Sequence, residues 1–115
     1  MGASGLWLTI GCIAVAWPGT AAADRHCAPS ADQYYAARLV LLEANPNEAP
    51  AVERAIKILR SALAEAAICG CPEIHDVLDN LYQRVGDPEM TAEAVTSAIL
   101  AEQHAVDTAI IGCHS

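Results

Sequence analysis

Cysteine and histidine are the residue types best suited to chemistry in this chain. Four of the five cysteines and three of the four histidines fall into neighbouring groups, namely Cys27, Cys69, Cys71 and Cys113 with His26, His75 and His114. Thiolates and imidazoles are the ligands that zinc and copper(I) prefer. Disulfide formation would consume the same thiolates, and the Cys69-Gly70-Cys71 spacing differs from the CxxC spacing of most zinc sites. The sequence therefore allows a disulfide framework, which we favour, or a metal site built from these residues.

The N-terminal segment has the pattern of a secretory signal peptide. The apolar run from Leu6 to Trp17 is too short to span a bilayer and has the length of a signal core. Small residues ending at Ala23 fit cleavage before Asp24. We therefore expect residues 1–23 to be a signal peptide and residues 24–115 to be an exported domain, periplasmic or secreted. That domain would keep no stable membrane anchor after cleavage.

In an oxidising compartment, the four cysteines of this domain predict two disulfides. An offset of 42 residues places Cys27 on Cys69 and Cys71 on Cys113, and it also aligns two turn prolines. This repeat predicts two αα-hairpins of like design. Each hairpin would be opened by one cysteine and closed by another, which favours the pairs Cys27–Cys71 and Cys69–Cys113. The pairs Cys27–Cys69 and Cys71–Cys113 are nearly as good, because Cys69 and Cys71 are neighbours, whereas a Cys69–Cys71 bridge would close a small, strained ring.

Apolar residues at helical spacing predict four helices separated by proline and glycine turns. The first three predicted helices cover residues 30–44, 50–68 and 72–85, with Ser30 as N-cap of the first. The fourth starts at Pro88 or at Thr91 and runs to Ile111, and a bridge to Cys113 favours Thr91 as its N-cap. Short connections favour an all-α, up-down four-helix bundle made of the two hairpins. In that arrangement the four cysteines, and the two disulfides, gather at one pole.

The charge of the chain limits its partners. Fourteen acidic and six basic residues give a net charge of −8. Such a surface disfavours nucleic acid and anionic membranes, and it is compatible with a cationic protein partner or simply with solubility. Glu73, Asp76 and Asp79, with His75 among them, could suggest acid–base chemistry. Their spacing of three instead indicates the solvated face of a helix.

The sequence contains no Ser-His-Asp pattern, glycine-rich phosphate loop or HExxH motif, so we predict no enzymatic activity and no cofactor. We expect a small non-enzymatic protein that binds another protein as an inhibitor, immunity protein, chaperone or assembly factor. The alternative is a metal carrier that uses the Cys/His cluster at one pole. A stripe of small residues, formed by Ala94, Ala98, Ala101 and Ala105, would let a neighbouring helix approach closely. The partner and the oligomeric state stay open.

Overall fold

The computed structural model describes residues 27–113, and this range is helical with no strand. The helices are α1 (Ala28–Glu43), α2 (Ala49–Cys69), α3 (Pro72–Val85), α4 (Ala92–Ala101) and α5 (Gln103–Cys113). The all-α prediction is thereby confirmed. The predicted signal peptide with its cleavage site at Ala23 and Asp24 lies outside the described residues, as do His26 and His114.

Prolines and one glycine set the ends of the first three helices. Pro29, Pro50 and Pro72 lie in the first turns of α1, α2 and α3, where the missing N–H costs no intrahelical hydrogen bond. Gly70 ends α2 with a φ of +83°, in the left-handed region that favours glycine. The chain therefore reverses between α2 and α3 within two residues, with one cysteine on either side of Gly70.

Of the two predicted N-caps, one is wrong and the other is confirmed. Ser30 is not the cap of α1: it is fully buried inside the first turn, and its hydroxyl donates to the Cys27 carbonyl oxygen at 2.7 Å. Pro29 favours a helix start ahead of Ser30, which explains the earlier boundary. Thr91 does cap α4, because its Oγ1 accepts the N–H of Ala94 at 3.1 Å.

The last predicted helix is broken rather than continuous. α4 and α5 meet at Glu102, whose N–H donates to the Ile99 carbonyl at 3.3 Å. In a regular α-helix this carbonyl would accept from Gln103. Here it also accepts the Tyr34 hydroxyl of α1 at 2.5 Å. A side chain inserted into the helical hydrogen-bond ladder is a known cause of bending, so Tyr34 accounts for the break.

The core runs through all five helices and is rich in alanine and branched aliphatic residues. Its largest fully buried side chains include Tyr34, Leu59, Ile74, Leu78, Leu81, Ile99 and Val106. α1 makes its most extensive contacts with α2, where Ala37, Ala55 and Ala62 are fully buried and let helices lie close together. α3 packs chiefly against α2 and α5. Within residues 27–113, no helix combines the length and apolar character that crossing a bilayer requires.

Candidate functional site: the disulfide pole and the α3–α5 groove

Two disulfides join the four described cysteines at one end of the molecule, which we call the disulfide pole. Cys27 pairs with Cys69 across a Cα–Cα distance of 5.0 Å, and Cys71 pairs with Cys113 across 5.7 Å. The sulfur atoms of Cys27, Cys71 and Cys113 all lie within 4.8 Å of one another, so the two bridges are in contact. One bridge joins the start of α1 to the end of α2, and the other joins the start of α3 to the end of α5.

The favoured pairing of Cys27 with Cys71 and of Cys69 with Cys113 is therefore wrong, and the alternative pairing is the one observed. The physical reason is helix packing. α1 lies mainly along α2, and α3 packs against α5 as well as against α2. The start of α1 therefore lies beside the end of α2, and the start of α3 lies beside the end of α5. The observed bridges join the cysteines that the 42-residue offset places on each other, whereas the favoured pairing joined the first and last cysteine of each predicted hairpin.

Burial differs between the two cysteines of each bridge. Cys27 and Cys71 are buried, while Cys69 and Cys113 are partly exposed. An external thiol would therefore reach the bridges at Cys69 or Cys113. The Cys71 sulfur lies 3.2 Å from Oε1 of Glu73. A disulfide sulfur carries no thiolate charge, so metal binding at the pole would require both bridges to be reduced.

His75 lies beside the pole but outside the sulfur cluster. Its side chain lines a shallow depression of about 340 Å³ together with Gly70 and Cys71. Its Nδ1 is 3.7 Å from Oδ1 of Asp76. Among the described residues, the group of metal-ligating atoms within 4.8 Å of one another contains the three cysteine sulfurs and no histidine. The structure thus brings together only part of the predicted Cys/His set.

A pair of tyrosines contacts the interrupted α4–α5 segment. Tyr34 donates to Ile99 on α4, while the Tyr35 hydroxyl donates to the Asp107 carboxylate on α5. Burial, together with the hydrogen bond to Asp107, raises the pKa of Tyr35 to about 12. Burial likewise raises the pKa of Tyr34 well above its usual value. Both phenols therefore stay protonated and act as hydrogen-bond donors at neutral pH.

An open groove of about 530 Å³ lies between α3 and α5 and begins next to the disulfide pole. Val77, Ala105, Ala109 and Gly112 give it a mainly apolar lining, to which Glu73, His104 and Thr108 add polar side chains. Farther from the pole, the Arg84–Glu102 ion pair, with 3.0 Å between Nη2 and Oε2, joins α3 to the α4–α5 junction.

The sequence did not reveal this groove. Of the predicted alanine stripe, only Ala105 lines it. The usable signal was a second set of small residues, Ala105, Ala109 and Gly112, at spacings of four and three on one helical face. Glu73, which was predicted to lie on a solvated face, is exposed at the edge of the groove.

Comparison of the chain with protein-family models, with curated proteins and with solved structures finds no match.

Proposed function

We propose that this is a small exported, non-enzymatic helical protein that binds another protein through the α3–α5 groove. Its helices would form an up-down bundle of two αα-hairpins, α1 with α2 and α3 with the bent α4–α5 segment. The short connections and the packing of α1 on α2 and of α3 on α5 support that arrangement. Each hairpin is then closed by its own disulfide.

The observation that carries the binding proposal is the unfilled apolar lining of the groove. Val77 and Ala105 are partly exposed within it, and the small side chains of Ala109 and Gly112 leave the space between the helices open. Small residues allow the backbone of an incoming helix to approach closely. An amphipathic helix laid into an apolar groove is a recurring mode of protein recognition. We therefore assign the groove to a helical segment of the partner.

Charge selects a cationic partner. Glu73 stands at the rim, Asp76 is exposed one turn along α3, and the chain has a net charge of −8. Complementary charge around an apolar contact accelerates association and excludes like-charged competitors. The partner helix would present an apolar stripe flanked by lysine or arginine. Inhibitors, immunity proteins, chaperones and assembly factors all act by such non-catalytic binding.

Export is the second part of the proposal. Two disulfides are typical of proteins that fold in an oxidising compartment. The signal-peptide pattern of residues 1–23 supplies a route to that compartment. N-terminal sequencing of the protein from its natural compartment should begin at Asp24. A mature chain that still begins at Met1 would contradict cleavage.

Binding can be tested by NMR titration of the isotopically labelled mature protein with two designed amphipathic peptides. The two peptides share a leucine stripe and differ in carrying lysine or glutamate. The lysine peptide should shift the amide signals of α3 and α5, and the glutamate peptide should not. Ala105→Leu should weaken binding by about tenfold, equivalent to about 1.4 kcal/mol, because it fills the groove. Ala36→Leu, an identical change on the exposed face of α1, should leave binding unchanged.

A charge-matched pair extends this test. Glu73→Gln should weaken binding of the lysine peptide, whereas Glu93→Gln should not, although both acids are exposed in the first turn of a helix. Equal binding of the two peptides, or signal shifts confined to helices other than α3 and α5, would contradict the assignment.

The metal-carrier alternative can be distinguished from the binding proposal because a metal carrier requires free thiols. Thiol titration of the denatured protein, purified from an oxidising compartment, should find none. Four free thiols would remove the disulfide framework and favour the metal carrier.

A further inference from the structure

We propose that the two disulfides at the pole can undergo thiol–disulfide exchange, so that the protein interconverts between two disulfide pairings. The proposal is independent of the groove. It rests on the three sulfur atoms of Cys27, Cys71 and Cys113, which lie within 4.8 Å of one another although they belong to two different bridges. A thiolate released from one bridge therefore stands beside the other bridge. The product would hold the pairs Cys27–Cys71 and Cys69–Cys113.

The exchange needs only a small-molecule thiol and causes no net oxidation or reduction. The thiolate of this molecule attacks the partly exposed Cys113 sulfur, which breaks its bond to Cys71 and leaves a mixed disulfide on Cys113. The Cys71 thiolate then attacks the Cys27 sulfur, forming Cys27–Cys71 and expelling the Cys69 thiolate. Cys69 finally attacks Cys113, forming Cys69–Cys113 and releasing the small thiolate. Each step makes one S–S bond and breaks one.

The surroundings of Cys71 and Cys69 suit their roles as attacking and leaving sulfur. Cys71 immediately precedes α3, and the N-terminal end of a helix stabilises a thiolate. Cys69 is partly exposed, so water can stabilise the thiolate that leaves. Apart from its own chain neighbours, Gly70 has no atom within 4 Å of the position that a Cβ would occupy, so the space on that side of the turn is open. The main chain can therefore adjust there while the pairing changes.

Glu73 slows the exchange. Its Oε1 lies 3.2 Å from the Cys71 sulfur, where a negative charge disfavours the Cys71 thiolate. Among the described groups, the other titratable side chain beside Cys71 is His75. Ala66 and Ala67 of α2 line the same depression as Cys71 and His75. The other groups near the Cys71 sulfur are the sulfurs of Cys27 and Cys113, which lie within 4.8 Å of it. Glu73→Gln should therefore raise the exchange rate and move its pH profile to lower pH.

The most direct test uses the Cys113→Ser variant of the mature protein, which keeps the Cys27–Cys69 bridge and leaves Cys71 free. Slow alkylation at neutral pH, followed by peptide mass spectrometry, locates the free thiol. Exchange predicts label on Cys69 as well as on Cys71, together with a Cys27–Cys71 bridge. Label confined to Cys71 throughout would overturn the proposal.

The complete protein provides a second readout. With a substoichiometric amount of reduced glutathione under anaerobic conditions, a second fully oxidised isomer should appear on reversed-phase chromatography. It should form faster in Glu73→Gln, with its rate profile shifted to lower pH, and at the unchanged rate in Glu93→Gln. An unchanged pH profile in Glu73→Gln would remove Glu73 from the mechanism. A Cys113 mixed disulfide that persists without the second isomer would overturn the exchange itself.

Discussion

Replacing Tyr34 with phenylalanine should lower the free energy of unfolding by about 1 kcal/mol. It should also join α4 and α5 into one straight, continuous helix. The hydroxyl is buried and donates to the Ile99 carbonyl at 2.5 Å. A buried hydrogen bond contributes about 1 kcal/mol net, and more is lost only when the remaining partner is left unsatisfied. The Ile99 carbonyl keeps the Glu102 N–H at 3.3 Å, so it is not left unsatisfied. Straightening would also let Gln103 become its donor.

Urea and thermal unfolding of the mature protein measure this loss. A change of about 1 kcal/mol corresponds to a fall of roughly 4–8 °C in Tm for a domain of this size. Tyr82→Phe is the matched control, because Tyr82 is partly buried and its hydroxyl makes no hydrogen bond in the described structure. Its unfolding free energy should stay within about 0.5 kcal/mol of the wild type.

Backbone chemical shifts around Glu102 supply the structural readout. In Tyr34→Phe they should move toward continuous helical values from Ala101 to Gln103, while Tyr82→Phe leaves them unchanged. A Tyr34→Phe protein that keeps the wild-type shifts at Glu102 would refute the inference that this hydroxyl causes the bend. A loss above about 3 kcal/mol would refute the reasoning that the Ile99 carbonyl stays satisfied.

Three further outcomes are expected. Replacing both Cys71 and Cys113 with alanine should cost about 4 kcal/mol in urea unfolding, since that bridge spans 42 residues, and a loss under about 1 kcal/mol would contradict the loop-closure account. Folding raises the pKa of Tyr35 from 10.0 to about 12, and that of Tyr34 in the same direction, so stability should hold below pH 10 and fall as pH rises toward 12. Urea unfolding at pH 9 and 11.5 measures this fall, which Tyr35→Phe should reduce; an equally steep fall in that variant would contradict the assignment. Arg84→Ala removes a partly exposed ion pair and should cost at most about 1 kcal/mol in low salt, with a smaller loss in high salt.

The parts of the fold that were predictable from sequence depend on local signals. Pro72 and Gly86 bracket α3, whose observed bounds match the predicted residues 72–85. Gly70 marks the end of α2, and Thr91 caps α4 as expected. In each case the signal lies within a few residues of the boundary. Proline geometry, a left-handed glycine and an N-cap hydroxyl act on their own neighbourhood, so they can be read without knowing the rest of the fold.

The features that the sequence concealed depend on contacts between distant segments. The break at Glu102 follows from Tyr34, which is 65 residues away from the Ile99 carbonyl that it contacts, and no proline or glycine marks the bend. The disulfide pairing follows from which helices pack together, and the internal repeat gave the wrong preference. The groove appears only where the small residues of α5 meet Val77 of α3. A single helix pattern cannot reveal a space that two helices leave between them.

The pairing of the cysteines is the most direct test of the account, since it determines how the helices are joined and which sulfurs meet at the pole. Partial reduction by a phosphine at acidic pH, where thiolate exchange is suppressed, opens one bridge at a time. Maleimide labelling at the same pH, followed by tandem mass spectrometry of each two-label species, identifies the cysteines released together. The account predicts Cys27 with Cys69 and Cys71 with Cys113. In protein that has not been exposed to an added thiol, species labelled at Cys27 and Cys71 together would contradict it.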